Sequence, residues 1–133
     1  MIFLDTSAIY AMADREDPLH ERAKERFQAL LDAGEGILTH NYVLVEAMAL
    51  VQSRLGVSAA LKLARDCRAF DVEWVDETTH AEAVRRLARL GKRRVSFVDL
   101  VSFLVMRRRG VRMALAFDPD FESEGFQLLD GHG

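Results

Sequence analysis

Residues 1–8 read MIFLDTSA, a short apolar run that stops at an acid followed by two hydroxyl residues. Ile2 to Leu4 has the length and the composition of a buried β-strand, and Asp5 is suited to cap a helix that begins directly after it. Strands that alternate with helices are typical of parallel sheets, because the connections between parallel strands are helical. In such sheets ligands bind outside the carboxyl ends of the strands, which is where Asp5 would lie.

The same alternation continues to the end of the chain and predicts an α/β fold, in which a parallel sheet is covered by helices on both faces. The predicted strands are Ile2–Leu4, Ile37–Thr39, Val72–Val75, Met113–Phe117 and Phe126–Leu129. After the short helix at Asp5, a helix capped by Asp17 is expected, with Pro18 in its first turn and Gly34 beyond its end. Further helices are predicted from about Asn41 to Arg54, Ser58 to Arg68, Thr79 to Gly91, and Ser96 to the residue before Gly110.

Length and composition predict a single globular domain over residues 1–133, with 130–133 as a fraying tail. The chain is 50% hydrophobic and 29% charged, which is ordinary for a soluble protein. Cys67 is the one cysteine, so an internal disulfide is impossible and a reducing cytoplasm is expected. The N-terminal run is too short and too soon interrupted for a signal peptide, and no apolar run has the length of a membrane span.

Basic residues are concentrated in one part of the chain. Residues 85–112 contain ten lysines and arginines and one acid, Asp99, for a net charge of +9, whereas the rest of the chain carries −12. Phosphate contacts require local positive charge rather than a positive total, so this stretch predicts a surface that faces a polyanion. Two solvated basic helix faces without a ligand are the alternative.

Glu46 lies on an apolar face of its predicted helix. Its neighbours one turn away are Tyr42, Val43, Ala49 and Leu50. Burying an unpaired charge costs many kcal/mol, so we expect the Glu46 carboxylate to be paired, protonated or bound to a cation.

Three further acids each have an ordinary structural explanation. Asp5 would cap a helix, Asp99 forms with Ser96 a pattern typical of a capping box, and Asp118-Pro119-Asp120 would begin a turn. Asp5 and Asp118 both follow strands, however. If the strand order reverses between those two strands, the two carboxylates become neighbours at the switch point.

One metal site explains the four acids better than four separate local roles do. Hard oxygen ligands without cysteine or paired histidine select Mg²⁺ or Mn²⁺ rather than zinc. We therefore expect the metal ligands to be Asp5, Glu46, Asp99 and Asp118. Surface or capping positions are expected for His20, His40, His80 and His132, and no motif makes Cys67 a nucleophile.

The motifs resemble those of PIN-domain nucleases, most closely the VapC-type toxins of toxin–antitoxin pairs. The matching segments are FLDTSA at residues 3–8, NYVLVE at 41–46, SFVD at 96–99 and FDPDF at 117–121. Their order and spacing cover nearly the whole chain. The resemblance assigns the acidic quartet to the same four residues and makes the hydroxyls of Thr6 or Ser7 and of Ser96 its supporting partners.

One departure from the resembled family concerns residue 116. Many relatives have Ser or Thr two places before the last acid, whereas Ala116 stands here, so a polar contact near Asp118 would be missing; Asp120 is a further candidate ligand. The resemblance also implies a five-stranded parallel sheet, magnesium-dependent RNA hydrolysis, a homodimer and an antitoxin partner that blocks the site.

The expected reaction is hydrolysis of RNA by metal-activated water, with Lys92, Arg93 and Arg94 holding the RNA backbone. Two alternatives remain. A degenerate PIN domain would bind RNA or protein without cleaving. A phosphotransfer domain would use an aspartyl nucleophile after the first strand, but such enzymes typically carry a second aspartate where this chain has Ser7.

Overall fold

A computed structural model describes residues 1–91 and 95–129. Its strands are β1 (Ile2–Leu4), β2 (Ile37–His40), β3 (Asp71–Glu73), β4 (Met113–Leu115) and β5 (Gln127–Leu128). Its α-helices are α1 (Thr6–Ala13), α2 (His20–Asp32), α3 (Asn41–Leu55), α4 (Val57–Asp66), α5 (Glu77–Leu90), α6 (Phe97–Arg109) and α7 (Asp120–Ser123), and a 3₁₀ turn follows α4 at Cys67–Ala69. None of the helices in these residues has the length and apolar character needed to cross a membrane.

The strands form one parallel sheet in the order β3-β2-β1-β4-β5, which confirms the predicted fold class. The chain builds outward from β1 through β2 to β3, and then returns to place β4 on the other side of β1. The strand order therefore reverses between β1 and β4, which is the condition under which Asp5 and Asp118 become neighbours. The Asp5 amide donates to the Leu115 carbonyl at 3.2 Å, so the carboxyl ends of these strands lie side by side.

Helix α6 forms the centre of the core, since every residue from Asp99 to Met106 is buried. A helix that is apolar nearly all round is expected to be buried on all sides. The Phe103 ring packs edge-on against Phe121 at 5.0 Å between centroids and stacks on Phe126 at 5.7 Å. This contact holds α7 against α6 and fixes the segment that carries Asp118 and Asp120.

Two predicted helix starts were wrong, and capping explains both. Helix α2 begins at His20, because the Asp17 carboxylate accepts the Leu19 amide at 2.8 Å and closes a turn around Pro18 instead of the first turn of a helix. Helix α5 begins at Glu77, because Asp76 is the N-cap and accepts the Thr79 amide at 2.8 Å.

Three strands are shorter than predicted: β5 covers only Gln127–Leu128, and near the ends of β3 and β4 side chains take backbone amides. The Asn41 side chain accepts the Val75 amide at 2.7 Å, and β3 ends at Glu73. The Ser7 hydroxyl accepts the Phe117 amide at 3.0 Å, and β4 ends at Leu115. The short helix α7 was not predicted; the predicted turn at Asp118-Pro119-Asp120 leads directly into it.

Candidate metal centre

Three carboxylates converge at the carboxyl edge of the sheet. One oxygen each from Asp99, Asp118 and Asp120 lies within 4.8 Å of the others. Asp99 comes from the first turn of α6, Asp118 follows β4, and Asp120 begins α7. The fold thus brings together acids that the sequence separates, and we call these three residues the carboxylate group.

The turn after β4 sets the positions of Asp118 and Asp120. The Asp120 amide donates to Oδ1 of Asp118 at 2.9 Å, which closes an Asx turn across Pro119. Asp120 is 7% exposed, and the neighbouring Phe121 is fully buried in the core. Packing of Phe121 therefore holds both carboxylates against the start of α6.

Asp99 caps its helix and also belongs to the carboxylate group. Its amide donates to Oγ of Ser96 at 3.0 Å, and its Oδ2 accepts the Ser96 amide at 3.4 Å, which completes a capping box. The residue is 8% exposed, and burial, with the charges of Asp5 and Asp118, raises the pKa of its carboxyl to about 7 despite the Ser96 hydrogen bonds. The capping role that the sequence predicts for Asp99 is confirmed, and its role as a metal ligand stays a prediction.

Asp5 caps α1 and lies close enough to the carboxylate group to repel it. Its Oδ2 accepts the Ser7 hydroxyl at 2.7 Å and the Ser7 amide at 3.2 Å. Burial raises the pKa of Asp5; the Ser7 hydrogen bonds oppose this, and the Asp118 charge adds to it. Asp5 is not among the three acids within 4.8 Å, but its charge is one of the causes that raise the pKa of Asp99.

The Ser7 hydroxyl joins the ends of β1 and β4. It donates to Asp5 and accepts the amide of Phe117, so it supplies a polar contact beside Asp118 although Ala116 has no hydroxyl. Oγ1 of Thr6 is buried and has no hydrogen-bond partner among the described residues. A buried hydroxyl without a hydrogen-bond partner in the protein commonly contacts an ordered water or an ion.

Glu46 lies outside the carboxylate group. It is half-buried in α3 and makes no hydrogen bond or ion pair with any described residue. The apolar face around Glu46 is only partly buried: Val43 is fully buried, but Ala49 is exposed and the adjacent Val45 is 66% exposed. The spacing of apolar residues along α3 indicates an apolar face of the helix. It does not show that part of this face is exposed to solvent.

The donor set fits a hard divalent cation. Mg²⁺ binds oxygen at about 2.1 Å, so oxygens on opposite sides of the ion are about 4.2 Å apart. The 4.8 Å limit of the carboxylate group is only slightly wider than this. Burial is the largest cause of the raised pKa values of Asp5 and Asp99, and repulsion from neighbouring carboxylates raises them further; a bound cation would relieve that repulsion.

The histidines in the described residues do not form a metal site. His40 is fully buried, contrary to a surface position, but it does cap α3 through Nδ1, which accepts the Val43 amide at 3.3 Å. Its Nε2 lies 2.8 Å from the Ser102 hydroxyl, which donates to the Val98 carbonyl, so Nε2 carries the proton. Burial lowers the pKa of His40 to about 3 and keeps the ring neutral.

The basic stretch does not form one continuous surface. At the end of α6, acids of β3 and of the α7 C-terminus pair with the arginines: Arg107 with Glu124 at 2.8 Å, Arg108 with Glu73, and Arg109 with Asp71 and with Glu73 at 3.1 Å. A helix rises about 1.5 Å per residue, so the Cα atoms of these arginines lie up to about 15 Å along α6 from that of Asp99. Lys92, Arg93 and Arg94, predicted to hold RNA, lie outside the described residues.

A cavity of about 420 Å³ lies in another part of the molecule. Its walls come from α1, α2 and α4 and include Ile9, Phe27 and Leu63, with Arg15, Lys24 and Lys62 also lining it. None of the acids predicted as ligands lines it. The cavity is therefore separate from the candidate metal centre.

Residues 2–126 match the PIN domain family. The chain is 38% identical to the 23S rRNA-specific endonuclease VapC20 of Mycobacterium tuberculosis, over 95% of each chain. It is 26% identical to Ribonuclease VapC26 of the same organism, over 88% of this chain and 86% of that one. The crystal structure of M. tuberculosis VapC20, described as a sarcin-ricin loop cleaving toxin, matches with a TM-score of 0.83 and 36% identity, over 95% of this chain and 96% of that one.

Proposed function

Because this chain belongs to the PIN domain family, we propose that it is an endoribonuclease that uses Mg²⁺ or Mn²⁺ to hydrolyse RNA phosphodiester bonds. The names of its relatives, endonuclease and ribonuclease, support a nuclease. The observation that supports metal dependence is the carboxylate group, since three acids lie within 4.8 Å of one another, one of them with a raised pKa, and a divalent cation would relieve the repulsion between them.

Asp99, Asp118 and Asp120 would hold the ion directly, and Asp5 and Glu46 would complete the site from β1 and α3. When bound, the ion activates water for attack on phosphorus and neutralises charge on the phosphate. Ser7 orients Asp5 and ties β1 to β4, and Ser96 fixes Asp99 through the capping box. These contacts limit the rearrangement that metal binding requires.

The proposal extends to the partners of the protein. VapC20 of M. tuberculosis is named as specific for 23S rRNA, so 23S rRNA is the first substrate to test. We also propose that the chain is the cytoplasmic toxin of a pair, inhibited by an antitoxin that covers the site, and that Lys92, Arg93 and Arg94 contact the RNA backbone. Removal of the positive charges of Arg93 and Arg94 would then weaken RNA binding and flatten its salt dependence.

A homodimer is proposed from the exposed apolar surface of α3 and α4. Val45, Val57 and Leu61 are 66%, 60% and 52% exposed. Exposed large apolar side chains, where they cluster, commonly mark an interface between protein chains. A symmetric pair would bury the same surface of both copies.

The test is cleavage of a 23S rRNA fragment with Mg²⁺, with Mn²⁺ and with EDTA, for wild type and two variants. Asp120→Asn removes a proposed ligand, whereas Glu122→Gln removes an exposed acid from the same short helix. We expect cleavage that requires the metal, falls at least about 100-fold in Asp120→Asn and is unchanged in Glu122→Gln. Wild type that binds the RNA and never cleaves it would instead identify a binding module.

A further inference from the structure

A shallow cleft of about 300 Å³ opens beside the carboxylate group. Its lining residues are Arg86, Arg89, Leu90, Leu100 and Glu124. Leu100 directly follows Asp99 in α6, and the Glu124 amide donates to the Asp120 carbonyl at 3.1 Å. Two walls of the cleft are therefore continuous with two members of the carboxylate group.

The cleft carries uncompensated positive charge. Arg86 and Arg89 make no hydrogen bond or ion pair with any of the described residues, in contrast to the paired arginines at the end of α6. Glu124 is the one acid among the lining residues, and its carboxylate is already paired with Arg107 at 2.8 Å. The two guanidinium groups are therefore available to an anion from outside the chain.

We propose that Arg86 and Arg89 bind a backbone phosphate of the RNA substrate, next to the phosphate that is cleaved. This inference rests on the proposed ribonuclease function. Residues three apart on a helix lie on one face, so both guanidinium groups can reach the same strand. Arginine donates paired hydrogen bonds that match phosphate oxygens, and the apolar floor provided by Leu90 and Leu100 strengthens such contacts by excluding water.

The proposed contact positions RNA without reading its sequence. A strand seated in the cleft would extend from the carboxylate group over Leu100 toward Arg86 and Arg89 of α5. The contact would therefore contribute to affinity and to its salt dependence for any RNA sequence.

The experiment measures binding without cleavage. Fluorescence anisotropy of a labelled single-stranded RNA oligonucleotide is recorded in EDTA over a range of salt concentrations. Wild type is compared with Arg86→Ala/Arg89→Ala and with a matched control, Arg65→Ala/Arg68→Ala. The control removes two arginines at the same spacing, on α4 and the turn after it, and these also have no partner among the described residues.

We expect the slope of log affinity against log salt to become shallower by about 0.7 for each phosphate that the variant no longer neutralises. The control should keep the wild-type slope. An unchanged slope in Arg86→Ala/Arg89→Ala, or an equal change in the control, would overturn the proposal. The single variants Arg86→Ala and Arg89→Ala carry the same expectation for one phosphate each, should the double variant not fold.

Failure of the ribonuclease proposal would look different. A shallower slope of log affinity against log salt in Arg86→Ala/Arg89→Ala, together with no metal-dependent cleavage by wild type, would support the phosphate site and contradict the ribonuclease function. Metal-dependent cleavage with an unchanged slope would keep the enzyme and reject the site.

Discussion

Replacing Asp99 by Asn is expected to stabilise the metal-free protein, although it alters a helix cap. The Asp99 carboxyl has a pKa of about 7 in the fold and 3.8 as a free side chain. Below about pH 3 it is protonated in both the folded and unfolded states and has little effect on their balance. As the pH rises from there toward 7 the unfolded chain releases its proton first, so stability falls.

The size of this effect follows from the pKa difference. At about 1.36 kcal/mol per pH unit, the buried carboxyl destabilises the metal-free fold by about 4 kcal/mol near pH 8 and by about 1–2 kcal/mol near pH 5. Asn still accepts the Ser96 amide but lacks the charge that favours a helix N-terminus, a loss of about 0.5–1 kcal/mol. Asp99→Asn should therefore gain up to about 3 kcal/mol near pH 8 and at most about 1 kcal/mol near pH 5.

Melting curves in EDTA and in Mg²⁺, near pH 5 and near pH 8, test this reasoning. For a chain of this length 1 kcal/mol corresponds to about 3–4 °C, so the variant should melt about 10 °C higher near pH 8 without metal. Added Mg²⁺ should raise the melting temperature of wild type and have little effect on the variant. A variant that melts below wild type in EDTA near pH 8 would show that the cap outweighs the repulsion, and would refute the argument.

Three further perturbations address other parts of the molecule. In urea titrations Ser7→Ala should lower the free energy of unfolding by about 1–3 kcal/mol, because Asp5 loses a hydrogen-bond donor and the Phe117 amide loses its acceptor. The control Ser53→Ala, at an exposed position, should leave the free energy of unfolding unchanged. If the proposed homodimer forms through α3 and α4, light scattering should show wild type as a dimer and Val45→Asp as a monomer at the same concentration. The pKa of His40 is about 3, so wild type should lose stability as the pH falls below about 6.5; in urea titrations His40→Gln should lack this loss.

The sequence identified the sheet and the acids at its edge because both depend on local patterns. Ile2–Leu4 was predicted with its observed bounds, since a short apolar run ended by a capping acid has one simple interpretation. Asp99 also followed from its neighbours, as Ser96 three places earlier indicates the cap. The strand ends that were missed involve side chains that bind distant amides, such as Asn41 with Val75, whereas the two missed helix starts depend on caps only two or three residues away.

Long-range charge pairing was beyond the reach of sequence patterns. The basic stretch was predicted as one surface, but Arg108 and Arg109 bind acids of β3 that lie more than 30 residues earlier. Glu46 illustrates the same difficulty, because the neighbours that decide its environment come from other elements. Its proposed part in the metal site stays a prediction.

The Ser7 to Phe117 hydrogen bond joins positions 110 residues apart. During translation at about 5–20 residues per second, Asp5 and Ser7 are synthesised roughly 6–22 s before the segment that completes their surroundings. Residues Asp118 and Asp120 come from that late segment as well. A nascent chain therefore lacks the assembled carboxylate group until the segment up to Asp120 has been made, so the proposed metal centre cannot form on a chain that stops short of this segment.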